Sequence, residues 1–162
     1  MISGQQNITV TEPAAGRLPT PATQISKGRL SDLKIMVIDD SRTIRSSAGI
    51  LLRQAGCEVI LAEDGFDALD KISTHLPDLI FADVLMPRLD GYKTCALIKR
   101  STGYKHIPVI MLTSKDSLYD RARGQAAGSS QYLTKPFTKE TLLRTVEAHL
   151  PAGHTPVALL HS

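Results

Sequence analysis

Between Lys34 and Leu150 the chain alternates, five times over, between short unbroken apolar runs and longer stretches whose apolar residues return every three or four positions. The runs are Ile35–Ile38, Val59–Ala62, Leu79–Ala82, Val109–Leu112 and Tyr132–Leu133. Apolar runs without polar alternation are the pattern of parallel strands covered on both faces, so five buried strands are predicted. After the first run, Ile44, Ala48, Leu51, Leu52 and Ala55 share one helical face, with Ser41 placed as N-cap and Gly56 as terminator. Further helical patterns carry Ala68, Leu69, Ile72 and Leu76, then Ala96, Leu97 and Ile98, then a weaker stretch from Leu118 to Ala126, and last Leu142, Leu143, Val146 and Leu150. Strand–helix alternation of this kind predicts an α/β fold: an open, doubly wound parallel sheet of five strands, helices on both faces and right-handed crossovers.

The ends of the chain break this pattern. Residues 1–31 hold Pro13, Pro19 and Pro21 among Thr, Ser, Gln and Gly, with no apolar period, and are expected to form a disordered extension. Pro151 and Gly153 end the last helix and leave a short tail over 151–162, so a single domain over 32–150 is expected. With 42% hydrophobic and 22% charged residues, the composition is that of a globular domain able to bury a core without staples.

Charge and thiol content narrow the function classes. The net charge of +3 is spread over interspersed Lys, Arg, Asp and Glu rather than gathered in a stripe, which argues against nucleic-acid binding. No apolar run approaches the roughly 20 residues of a membrane-spanning helix. The N-terminus lacks the basic and apolar regions of a secretory signal, so no membrane insertion and a cytoplasmic place are expected. Cys57 and Cys95 have neither CxxC spacing nor a histidine pattern beside them and are expected to be reduced thiols. His75, His106, His149, His154 and His161 are scattered and carry no assigned chemistry.

The polar residues at the strand ends change the picture. Asp39 and Asp40 follow the first strand, Asp83 ends the third, Thr113 ends the fourth and Lys135 follows the fifth. In an open α/β sheet the ligand crevice lies outside the carboxyl ends of the strands, where all five converge. A single aspartate at such an end is more often a turn or cap residue, but three acids, a hydroxyl and an amine at one edge are a poor coincidence. Three carboxylates in one crevice raise one another's pKa unless a cation neutralises them. Mg²⁺, a hard ion that takes one or two carboxylates, a phosphate oxygen and water, fits that demand through Asp40 and Asp83, with Asp39 direct or through water.

Four stretches, VIDDS (Val37–Ser41), FADVLMPRLDGY (Phe81–Tyr92), VIMLTSK (Val109–Lys115) and YLTKPF (Tyr132–Phe137), resemble the signature segments of bacterial response-regulator receiver domains, the CheY-like family. The resemblance covers nearly all of Lys34–Leu150 and implies the flavodoxin-like strand order 2-1-3-4-5. It implies that Asp83 is the phosphoacceptor, that Asp39, Asp40, Asp83 and the backbone carbonyl of Leu85 hold Mg²⁺, and that Thr113 and Lys135 bind the phosphoryl group. It implies further that Thr113 and Tyr132 form the switch and that the Lys135–Pro136 bond is cis. Met86–Lys99 and Ser114–Phe137 also resemble the members of this family that regulate type IV pilus twitching motility. That implies a CheA-like histidine kinase as phosphodonor and a downstream protein bound on the face of the fourth helix, fifth strand and fifth helix. Output by protein contact is expected, since little chain follows the last helix.

Competing readings remain in view. A flagellar chemotaxis-type or other single-domain receiver shares every motif. A haloacid-dehalogenase-like phosphatase also uses a nucleophilic Asp, Mg²⁺, a hydroxyl and a Lys, but needs a second Asp two positions after the first, where this chain has Leu85. Without that proton donor, fast turnover is not expected, and the chain reads as a phosphoacceptor with slow autodephosphorylation rather than an enzyme. A dinucleotide-binding domain is opposed by IDDSRT, which follows the first strand where a GxGxxG turn would be needed.

Overall fold

A computed structural model describes residues 30–114 and 118–149 of the chain. Five strands and five helices alternate: β1 (Lys34–Ile38), α1 (Arg42–Gln54), β2 (Glu58–Ala62), α2 (Gly65–His75), β3 (Leu79–Asp83), α3 (Gly91–Arg100), β4 (Val109–Thr113), α4 (Leu118–Ala127), β5 (Gln131–Thr134) and α5 (Lys139–Ala148). The strands form one sheet in the order β2-β1-β3-β4-β5, every neighbouring pair parallel. Fold class and strand order are those expected from the sequence.

The two sheet faces carry separate cores. Met36, Ile38, Ile80, Ala82, Val109 and Met111 face α2 and α3, meeting Ala68, Ile72, Cys95 and Ile98. Ile35, Val37, Phe81, Ile110 and Leu112 face α1 and α5, meeting Ala48, Leu52, Leu142 and Val146. Because side chains alternate along a strand, β3 and β4 must be apolar at successive positions to serve both cores. They are buried along their whole length, which places Asp83 and Thr113 at the end of a dry strand.

Three details differ from the sequence reading. The buried face of α3 is Tyr92, Thr94, Cys95 and Ile98, whereas Leu97 is exposed. The apolar triplet Ala96–Ile98 had suggested a face that the 3.6-residue period rotates away. Leu76 is not a face residue of α2; it is the left-handed C-cap (φ 48°) and is exposed. Leu30 lies in the second core, fully buried, so packing reaches upstream of residue 32. Residues 1–29 of the expected extension, and the tail over 151–162, lie outside the described residues.

The first helix starts as the sequence suggested, and three others start in the same way without having been singled out. The Ser41 side chain accepts a hydrogen bond from the Ile44 amide, and Asp64, Asp90 and Thr138 cap α2, α3 and α5 in the same way. Gly56, beyond α1, has φ 101°, a left-handed conformation that glycine adopts without the Cβ penalty.

Candidate functional site

The carboxyl ends of β1, β3 and β4 and the loop after β5 bring most of the singled-out residues together. Carboxylate oxygens of Asp39, Asp40 and Asp83 all lie within 4.8 Å of one another. Asp39 and Asp83 are buried, while Asp40 is exposed and faces the crevice mouth. The Lys135 ammonium enters from the β5 side, donating to Asp83 Oδ1 at 3.0 Å and to Asp39 Oδ2 at 3.4 Å. Its loop is tied to β4 by the Lys135 amide, which donates to the Thr113 carbonyl at 2.7 Å, and the Lys135–Pro136 peptide bond is cis.

Asp39 is held on three sides. Its Oδ1 accepts from the Ser41 amide at 2.8 Å, its Oδ2 meets Lys135, and its carbonyl accepts from Arg45 Nη1 at 2.7 Å. Asp83 has less support. Burial pushes its pKa up to about 6; the hydrogen bond from Lys135 opposes that rise, and the charge on Asp39 adds to it. Lys135 shows the counterpart: burial disfavours its charge, but the hydrogen bond to Asp83 and the Asp39 and Asp83 charges outweigh it and raise its pKa. Three carboxylates against one ammonium leave the crevice with surplus negative charge. A hard divalent cation fits that donor set of oxygens.

Thr113 closes β4 one residue past Leu112, the register partner of Asp83, and is buried. Tyr132 pairs in register with Met111 and is half-buried, its hydroxyl 3.2 Å from that of Tyr92. Leu85, in the loop after β3, is 73% exposed. Arg88 in the same loop has φ 66°, held there by a 2.6 Å ion pair with Asp64 and a position over the Phe66 ring.

The sequence reading had not singled out Arg45, Gly91 or Tyr92. A Cβ on Gly91 would come within 2.2 Å of the Asp83 carbonyl oxygen, so the start of α3 presses directly on the end of β3. Gly91 lay inside a quoted motif, yet nothing in the sequence marks what it approaches. Arg45 had no sequence signal beyond its place on the first helix.

The family profile described as "Response regulator receiver domain" matches residues 35–147. The chain belongs to the response-regulator receiver family. Receiver domains are phosphoacceptors that bind Mg²⁺ at an acidic pocket and pass a signal between a histidine kinase and an effector. Protein PilG of Pseudomonas aeruginosa is 61% identical over 125 residues, which cover 77% of this chain and 92% of that protein. Response regulator MprA of Mycobacterium avium is 44% identical over 118 residues, 73% of this chain but 51% of that longer protein. Among solved structures, the chemotaxis protein CheY4 of Vibrio cholerae superimposes with a TM-score of 0.71 at 37% identity, covering 73% of this chain and 98% of the other. No helix among the described residues is long and apolar enough to cross a membrane.

Proposed function

We propose that this receiver domain is phosphorylated on Asp83 by a CheA-like histidine kinase and signals by phosphorylation-dependent protein binding in the control of type IV pilus twitching motility. The observation that carries the phosphoacceptor reading is the seat of Asp83: buried at the end of β3, within 4.8 Å of two more carboxylates and 3.0 Å from the Lys135 ammonium. A carboxylate is a weak nucleophile, but phosphoryl transfer proceeds through a loose transition state in which positioning and charge neutralisation do most of the work. Lys135 supplies a fixed positive charge beside the attacking oxygen, and Ser41 and Arg45 hold Asp39 in place. Asp39, Asp40, Asp83 and the Leu85 carbonyl would hold Mg²⁺, which when bound offsets the negative charge of both the crevice and the incoming phosphoryl group. Leu85 is apolar where a proton donor would be needed to activate water, so hydrolysis of the aspartyl phosphate is slow.

In the switch, Thr113 bonds the phosphoryl group and Tyr132 moves in response, remodelling the face of α4, β5 and α5 that a downstream protein contacts. Tyr132 and Thr113 lie on the same side of adjoining strands, since Tyr132 pairs with Met111 and Thr134 with Thr113. The pilus assignment rests on the motif resemblance together with the 61% identity to PilG, and a cytoplasmic place follows from such a role.

The test is the intact mass of the protein after incubation with Mg²⁺ and acetyl phosphate. A Mg²⁺-dependent phosphoryl adduct is expected in the wild type and not in Asp83→Asn. An adduct equally present in the variant would overturn the assignment. For the cellular role, deletion of the gene is expected to abolish twitching and spare flagellar swimming; the reverse would move the protein to the flagellar system.

A further inference from the structure

The loop between β3 and α3 carries the Leu85 carbonyl, yet the Leu85 side chain is 73% exposed and adds little packing of its own. What fixes the loop lies further along it. On its inner side Met86 and Leu89 are buried, and a Cβ on Gly65, at the start of α2, would come within 2.7 Å of Leu89. On its outer side Arg88 ties the loop to α2. Arg88 Nη2 donates to Asp64 Oδ2 at 2.6 Å, and its Cζ lies 5.2 Å from the centroid of the Phe66 ring. Asp64 is itself fixed as the N-cap of α2, its other carboxylate oxygen accepting from the Asp67 amide at 2.7 Å. The Gly91 amide donates to the Val84 carbonyl at 3.0 Å and closes the loop, so a displacement at Arg88 is passed to Leu85.

The backbone at Arg88 is strained. The Leu89 amide donates to the Pro87 carbonyl at 2.7 Å across it, closing a three-residue turn whose central φ is 66°. Glycine adopts such a turn without a Cβ penalty, whereas a long side chain is the unfavourable choice. Strain of this kind persists where the side chain has a task that offsets it. We infer that Arg88 is a positioning residue for the divalent cation: by clasping Asp64 and Phe66 it fixes the β3–α3 loop that carries the Leu85 carbonyl. The inference rests on the reading of Asp39, Asp40, Asp83 and that carbonyl as the Mg²⁺ site. A ligand held still before the ion arrives loses no conformational freedom on binding, and a loosened one does. Mg²⁺ demands near-ideal octahedral geometry, so its affinity is sensitive to that looseness. Charge alone predicts the reverse. Arg88 is a cation, and its removal would favour Mg²⁺, though weakly, because an exposed charge is screened by salt. The sign of the change therefore separates a tether from a bystander.

The experiment titrates Mg²⁺ into EDTA-stripped full-length protein, follows the crevice amides by ¹H–¹⁵N NMR, and measures the urea midpoint of the metal-free form. Arg88→Gly is expected to raise the Mg²⁺ midpoint about two- to five-fold, the scale of an exposed ion pair joined to a cation–π contact. Loss of backbone strain and loss of the pair act oppositely on stability, so its urea midpoint is expected to stay near the wild-type value. Asp64→Asn keeps the cap, removes the charge and is expected to weaken Mg²⁺ binding. Combined with Arg88→Gly it should add less than its own single effect, as two ends of one contact do. Arg88→Lys keeps a cation over Phe66 and is expected to recover most of the affinity. A midpoint in Arg88→Gly equal to or below that of wild type overturns the tether, as does a loss that Arg88→Lys repeats in full or that adds fully in the double variant. An affinity loss matched by a falling urea midpoint would assign Arg88 to the fold alone. The two failures are distinguishable: a wild type that titrates beside an unchanged Arg88→Gly sinks the tether only, whereas a wild type whose crevice amides ignore Mg²⁺ sinks the metal reading and the tether with it.

Discussion

Asp83 is the residue at which stability and function conflict. Its folded-state pKa of about 6 lies above the ordinary 3.8 of an aspartate, so protonation favours the fold. The stabilisation from the protonated form is full below 3.8 and is lost as pH rises through about 6. At pH 7.5 without metal, the ionised carboxylate therefore costs roughly 1–3 kcal/mol. Asp83→Asn is expected to raise the urea midpoint of metal-free protein at pH 7.5, with the gap to wild type closing as the pH is lowered toward 4. A gap that widened on acidification would contradict the assigned cause. Gly91→Ala should do the opposite at any pH, destabilising by about 1–3 kcal/mol, because the added methyl must displace the backbone of the phosphoacceptor itself. These residues were unequally legible in the sequence. The acids, Thr113 and Lys135 stood out because each ends a strand, and strand ends can be read from apolar runs. Gly91, Tyr92 and Arg45 were invisible because their importance is a distance to something remote in sequence, the carbonyl of Asp83, the phenol of Tyr132 and the carbonyl of Asp39.

Among the elements, α4 is the one whose weak apolar pattern turned out to describe its packing. Of its side chains from Arg121 onward, Gly124 is buried and Ala127 half-buried, while the others are exposed. Alanine would suit a helix interior better than Gly124 by about 1 kcal/mol. The glycine is needed because the Tyr132 oxygen occupies the space a methyl would take. With little apolar area buried from Arg121 onward, α4 is expected to open locally at a lower free energy than the other helices. In native-state hydrogen exchange, amides of Leu118–Ala127 should therefore exchange fastest among the five helices, and the α3 amides of Cys95 and Ile98 among the slowest. Equal protection across α3 and α4 would show that α4 is not the yielding part of the output face. The sequence misjudged α3 for a related reason. Its apolar letters, Ala96, Leu97 and Ile98, are consecutive, and a run of three on a helix spans most of its circumference, so it does not identify the buried side. The sheet contact kept Ile98 and added Tyr92 and Cys95 in place of Leu97.

At the scale of the molecule, the fold class was readable because the central strands had to serve two cores, which forces unbroken apolar runs, whereas the strand order came with the family resemblance. The same architecture gathers three carboxylates at one sheet edge, two of them buried beside the cores, and leaves them balanced by a single ammonium. The domain is thus folded around a charge imbalance that an added cation can relieve at neutral pH, where Asp83 is ionised, and its stability there should depend on that cation. A ligand present at ten times its Kd adds about 1.4 kcal/mol to the free energy of unfolding, which for a domain of this size raises Tm by about 5 °C. Mg²⁺ titrated into protein first stripped with EDTA is expected to give a rise of that order. The rise should fall sharply in Asp40→Asn, which removes a carboxylate at the crevice mouth, and persist in Asp32→Asn, at an exposed position outside the cluster. Since the same ion would screen Asp83, the Mg²⁺ effect should also shrink as pH falls through about 6, where protons compete for that carboxylate. A thermal shift indifferent to Asp40 and to pH would place the cation elsewhere and leave the crevice charge to Lys135 alone.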